Sequence, residues 1–320
     1  MNDRALAKLR DWLLLLVCNL IWASQFVMVK LVQEQMGPLF AVTFPIGIAA
    51  VLLTFTVFFR DRVRFPVKDL VPFILLGILG QVAAQLLITW GVRLSLASNA
   101  ALLALAMPVC TAVMAHFLLG EKMNKVRWAS FLLCMAGVVA CSGVDWKELN
   151  LHGGQYVVGN LLIFASVNGS AFYNVYSKKM LLHYSPVEVL LYSYFTALAL
   201  LLPVTLLLEP TGFKNLPHYS GTVWFGLIIL AIFQYFLSMV IFLNVLTRLD
   251  ATQAALSNYL IPFFGVVIAA FALHERLTTF MLIGGALALA STLLITVFDP
   301  ESRETEAKQP GAVKPGEVDA

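Results

Sequence analysis

Residues 99–122 read NAALLALAMPVCTAVMAHFLLGEK, and residues 253–276 read QAALSNYLIPFFGVVIAAFALHER. At a constant offset of 154, nine positions are identical. Ala100, Ala101, Leu102, Val113, Ala115, Phe117 and Leu119 meet Ala254, Ala255, Leu256, Val267, Ala269, Phe271 and Leu273. Apolar helices share residues of this kind by composition alone. The informative matches are Pro108 with Pro262 and Glu121-Lys122 with Glu275-Arg276, because proline and glutamate stand thirteen residues apart in both segments. A fainter match sets WASQFVMVK (22–30) beside SAFYNVYSK (170–178), with Lys30 against Lys178 and Gln25 against Tyr173. The chain reads as a duplication.

Both copies are strongly apolar. Of 320 residues, 60% are hydrophobic and only 12% are charged, and the mean hydropathy is +0.85. A soluble domain is about a quarter charged. This balance excludes a soluble globular enzyme, a disordered chain and a nucleic-acid binder. The expected partners are a small-molecule solute and membrane lipid. The four cysteines all lie in apolar runs, which argues for buried hydrophobes rather than a disulfide framework.

A membrane helix needs roughly 20 apolar residues to cross about 30 Å of hydrocarbon. Ten such stretches are legible, at 12–30, 39–59, 70–90, 98–119, 127–143, 156–177, 187–208, 221–246, 252–273 and 279–298. The expected fold is therefore an all-α polytopic membrane protein of ten transmembrane helices. The repeat unit is five spans (1–143 and 144–298), followed by a polar tail (299–320) expected to be disordered. Five is odd, so the second copy enters the membrane from the opposite side. Paired inverted repeats are a transporter architecture in which two similar halves expose a central site to either face in turn. With the N-terminus inside, sixteen Lys and Arg fall on inner segments and five on outer ones. Both termini are thus expected in the cytoplasm.

Ionisable groups are scarce within the spans, and a charge at the bilayer centre costs roughly 2.5–3.5 kcal/mol. Lys30 and Glu188 fall at span ends, where long side chains can reach the interface. Neutral polar residues recur at helical spacing instead: Gln81, Gln85 and Thr89; Ser166, Ser170, Tyr173 and Ser177, with Asn174 beside them; Gln234 and Ser238; Asn258 and Tyr259. Such stripes face other helices or a cavity, since lipid offers them no hydrogen bonds. With Trp22, Gln25 and Phe26 they outline a neutral cavity with aromatic walls. Pro108 and Pro262 each delete a helical hydrogen bond and read as paired kinks beside that site. Glu121-Lys122 and Glu275-Arg276 read as turn or gate charges. Gly137, Cys141, Gly284, Gly285 and Ala288 give spans five and ten small-residue faces, for packing together or for a homodimer contact. No catalytic, metal or cofactor motif is present: neither HExxH, nor a P-loop, nor a metal-spaced His/Cys set.

The segments WASQFVMVK (22–30), AALLALAMPV (100–109), LGEKM (119–123) and AALSNYLIPFFGVVIAAFALHERLTTFMLIGGALALASTLLI (254–295) resemble the EamA-like members of the drug/metabolite transporter superfamily. Members often carry an Arg early in span two; here Pro45 stands near that place, so a role for that Arg has no carrier. The resemblance implies a ten-helix secondary carrier in a plasma membrane, moving small metabolites by alternating access, frequently outward. A neutral, aromatic cavity favours amino acids or related zwitterionic or amphipathic compounds. A sugar, nucleotide-sugar or drug carrier is the alternative within the superfamily, and an intramembrane enzyme the alternative outside it.

Overall fold

The computed structural model describes residues 3–58, 67–119, 124–141, 151–248, 258, 260–275 and 278–298. All secondary structure among the described residues is helical. In chain order the long segments are α1 (Asp3–Val32), α2 (Pro38–Phe58), α3 (Leu70–Leu94), α4 (Ala97–Leu118), α5 (Lys125–Cys141), α6 (Leu151–Met180), α7 (Pro186–Leu208), α8 (Gly221–Leu246), α9 (Leu260–Leu273) and α10 (Thr279–Phe298). Seven of these (α1 to α4 and α6 to α8) hold stretches long and apolar enough to cross a membrane. Shorter apolar stretches, Phe264–Leu273 and Leu282–Ser291, lie in α9 and α10.

Local chemistry sets the helix ends. At the start of α7, the Ser185 hydroxyl accepts from Glu188 N, while the Glu188 carboxylate accepts from Ser185 N at 2.8 Å. Glu188 therefore closes a capping box and does not reach for the interface. Lys30 also turns inward. Its ammonium donates to Val92 O at 3.1 Å and Ser95 O at 2.7 Å, satisfying carbonyls that the end of α3 leaves open. Lys178 makes the corresponding contact at the end of α8, donating to Leu246 O.

The helices pair densely. α10 lies along α5, α3 along α6, α1 against α8 and α9, α4 against α6, and α2 against α7 and α8. Glycine permits the closest approaches. A Cβ on Gly91 (α3) would lie 2.8 Å from Gly159 O (α6), and one on Gly159 would lie 3.0 Å from Gly91 O. A Cβ on Gly137 (α5) would meet Gly284 O of α10 at 2.8 Å. The small-residue faces of α5 and α10 thus pack on each other. The outward side chains are apolar: Phe117 and Phe271, matched by the repeat, are 73% and 81% exposed. Large exposed apolar surface is unfavourable in water and natural in hydrocarbon.

Two helices carry π-helical stretches among the described residues. α3 carries a π-helical stretch at Leu76–Val82, and α8 carries one at Ile229–Ser238. Such inserts are uncommon and cluster at functional sites. Neighbouring helices supply donors to the disturbed backbone. The Tyr194 hydroxyl on α7 donates to Tyr235 O at 2.6 Å, and the Ser166 hydroxyl on α6 donates to Ala84 O at 2.6 Å.

Candidate functional site

A cavity of about 110 Å³ lies where α1, α3, α4, α6, α8 and the start of α9 converge. On a scale where roughly 10–15 Å³ accepts one water, it takes several waters or a small solute. Trp22, Gln25, Phe26, Gln81, Gln85, Tyr173, Asn174, Gln234 and Asn258, all named from the sequence, line it. Ser166 and Ser170 of the α6 stripe also line it. Ser238 lies just behind the wall, accepting from Trp22 Nε1 at 2.9 Å and donating to Gln234 O at 2.6 Å. It orients the indole. Tyr259 lies outside the described residues, as do Glu121, Lys122 and Arg276.

Three carboxamides cross the site in a chain. Gln234 Nε2 donates to Gln25 Oε1 at 2.7 Å, and Gln25 Nε2 donates to Gln85 Oε1 at 2.8 Å. The Tyr235 hydroxyl adds a third donor, 3.3 Å from the same Gln85 oxygen. One continuous network thereby joins α1, α3 and α8. Both π-helical stretches meet the cavity: Gly80 and Gln81 belong to the first and Gln234 to the second. A bulge shifts the helical register and re-aims side chains that straight α geometry would turn aside. Gly80 belongs there because a Cβ would sit 2.8 Å from the Tyr173 ring. Trp22 is braced edge-on by Phe242 at 4.9 Å.

Among the described residues, no Asp, Glu, Lys or Arg lines the cavity, and no group of three His, Cys, Asp or Glu could hold a metal ion. The site can present hydrogen bonds and aromatic faces, but neither a nucleophile–base pair nor a fixed charge.

The two prolines have different local surroundings among the described residues. Pro108 stands second in Met107–Leu119, directly after a 3-10 turn at Ala104–Ala106. Pro262 stands third in Leu260–Leu273. The chain meets the missing N–H of Pro108 by tightening the preceding turn, and Ala104 and Met107 there line the cavity. Glu275 lies away from the cavity. Its carboxylate accepts from Ala97 N (3.1 Å), Ser98 N (2.9 Å) and the Ser98 hydroxyl (2.6 Å), capping α4. Sequence reasoning passed over Gly80, Met107 and Met239 in the wall, since small and apolar residues there look like any core residue.

The chain is similar to known proteins along most of its length. A family model described as "EamA-like transporter family" matches the chain twice, at residues 11–143 and 157–297. An "Uncharacterized transporter" of Archaeoglobus fulgidus is 27% identical over 89% of this chain and 96% of its own length. A "Probable terminal-alkyne amino-acid exporter" of Streptantibioticus cattleyicolor is 28% identical over 94% and 97%. A "Probable amino-acid metabolite efflux pump" of Salmonella typhimurium is 28% identical over 92% and 97%. One solved crystal structure superposes with a TM-score of 0.63 at 19% identity, covering 90% of this chain and 98% of that one.

Proposed function

The chain belongs to the EamA-like transporter family, and from that premise we propose that it is a secondary carrier exporting amino acids or related zwitterionic or amphipathic metabolites by alternating access. It is a multi-pass membrane transporter and not an enzyme. The finer reading rests on one observation above the others: a neutral, aromatic-walled cavity where helices of both sequence copies meet, bridged by the Gln234–Gln25–Gln85 chain.

The reading takes the molecule as two inverted five-span copies, 1–143 and 144–298, with α1 matching α6 and so on to α5 and α10. The main contacts support it, because exchanging the copies maps the most extensive helix pairs onto one another. α1 with α9 becomes α6 with α4; α1 with α8 becomes α6 with α3; α2 with α7 and α5 with α10 map onto themselves. The π-helical stretches lie in the matched pair α3 and α8, and Lys30 and Lys178 cap their ends. Near-equivalent halves can trade conformations at little free-energy cost, which alternating access requires.

The reading places the protein in a plasma membrane, and the distribution of basic residues favours both termini in the cytoplasm. Reporters placed near Arg62 and Lys147 are then read in opposite compartments, and agreement between them defeats that orientation. For the solute, intracellular and extracellular metabolites are compared in cells with and without the gene. The reading expects an amino-acid-class compound to accumulate inside the deficient cells and fall outside them. A change confined to sugars, nucleotide sugars or drugs contradicts it. The absence of fixed basic groups among the described lining residues already weighs against polyanionic solutes.

A further inference from the structure

Two acceptor atoms in residues of the cavity wall have no hydrogen-bond partner among the described residues: Oε1 of Gln234 and Oδ1 of Asn258. Both residues are almost completely buried, at 4% and 2% exposure. A buried acceptor left unmade is costly, so native proteins seldom tolerate one without a use. The Gln234 carboxamide is also held at one end. Its Nε2 is committed to Gln25 Oε1 at 2.7 Å, which leaves the oxygen as its unengaged end.

Neither oxygen is open to the cavity in this conformation; we propose that the two carboxamides turn to an entering solute and that these oxygens then receive the N–H groups of its primary ammonium, so that Gln234 and Asn258 determine specificity by counting N–H donors. Three features of the same wall agree. Trp22, Phe26 and Tyr173 present aromatic rings, whose faces attract a cation. No Lys or Arg stands among the described lining residues to repel one. No carboxylate stands there to hold it as an ion pair, so the ammonium is bound by dipoles and rings and is readily released. A carboxylate on the solute finds only amide and hydroxyl donors, several already engaged with each other. The amino end is therefore the end that is read. A solute with the same cationic charge but no N–H satisfies neither oxygen.

This inference rests on the amino-acid reading of the cavity and narrows it. The test uses purified protein in liposomes and four compounds on one skeleton: leucine, leucinamide, N-acetyl-leucine and N,N,N-trimethyl-leucine. Each competes against labelled leucine for carrier-mediated exchange. Leucinamide is expected to compete within a few-fold of leucine. The N-acetyl and N-trimethyl compounds are expected to be roughly tenfold weaker or worse, the size of effect that follows from an unpaired buried acceptor. Asn258→Leu and Gln234→Met are expected to narrow that gap, and Asn258→Asp to widen it. The wild-type series stands even if a variant fails to fold. Equal competition by the trimethyl compound overturns the proposal in favour of charge alone, and equal competition by the N-acetyl compound overturns it in favour of the carboxylate end. Failure of labelled leucine and all three analogues to enter contradicts the amino-acid reading itself.

Discussion

Glu275, in the turn between α9 and α10, reaches back across 177 positions to Ser98 and takes both its backbone N–H (2.9 Å) and its hydroxyl (2.6 Å). The carboxylate also takes Ala97 N, so it satisfies open donors at the start of α4 while facing the positive end of that helix. This joins the second stretch matched by the family model to the first. Glu275→Ala is expected to lower stability by about 1–2 kcal/mol, read as the melting temperature of the detergent-solubilised protein. Ser98→Ala in the Glu275→Ala background is expected to cost little more, because the partner is already gone. Fully additive losses contradict the cap.

Gln25 sits at the middle of the carboxamide chain, accepting from Gln234 and donating to Gln85. Gln25→Leu strands the Gln234 Nε2 donor and leaves Gln85 Oε1 only the longer bond from the Tyr235 hydroxyl, at about 1–3 kcal/mol of buried desolvation. Exchange in liposomes is expected to fall at least about tenfold. Among the described residues the Thr54 hydroxyl bonds its own helix, to Ala50 O at 2.8 Å, and Thr54→Val is expected to leave exchange unchanged. Equal rates for Gln25→Leu and wild type remove the chain from the account.

The approach of α3 to α6 depends on Gly91 and Gly159. A methyl group on Gly159 would lie 2.9 Å from Ser95 Cβ and 3.0 Å from the Gly91 carbonyl, and backbone cannot step aside as a flexible side chain can. Gly159→Ala is expected to cost about 1–3 kcal/mol. Gly154→Ala, with nothing within 4 Å of the added carbon, supplies the comparison and is expected to be neutral or slightly stabilising. Equal melting temperatures for the two variants contradict the close packing.

Between α6 and α7 the Tyr184 hydroxyl donates to the Asp69 carboxylate at 2.6 Å. That hydrogen bond, together with desolvation and nearby negative charge, pushes the phenol up from 10.0 to about 12. A phenol that stays protonated in the folded state supports folding fully below its unfolded value. The support is lost as pH rises from about 10 to about 12, where the unfolded chain has released the proton and the folded one retains it. Melting temperature is expected to fall more steeply over that range in wild type than in Tyr184→Phe. Parallel curves contradict the pairing.

Much of this molecule is legible from residue order because the bilayer simplifies the problem. Lipid forbids unpaired backbone, so apolar stretches become helices, and the polar residues among them have few places to go. Gln81, Gln85 and Gln234 were readable for that reason. Pro108 marks a break in residue order but not its form: the lost N–H is absorbed in a 3-10 turn just before it, at Ala104–Ala106. The π-helical stretches were not readable at all: LGILGQV and ILAIFQYFLS carry no proline or charge to mark them. They depend on tertiary partners such as the Tyr194 hydroxyl on Tyr235 O. Lys30 and Glu188 look like interfacial charges because the carbonyls and N–H groups they serve belong to helix ends that only the fold or its boundaries define.

Counterflow tests the central claim most directly. Liposomes holding the purified protein are loaded with a high concentration of unlabelled leucine, diluted, and given a trace of labelled leucine outside. A carrier that must rebind before it turns over draws label inward transiently above its external concentration, and the label is recovered as leucine. Label that merely equilibrates, never enters, or returns as a different compound contradicts a site exposed alternately to the two faces.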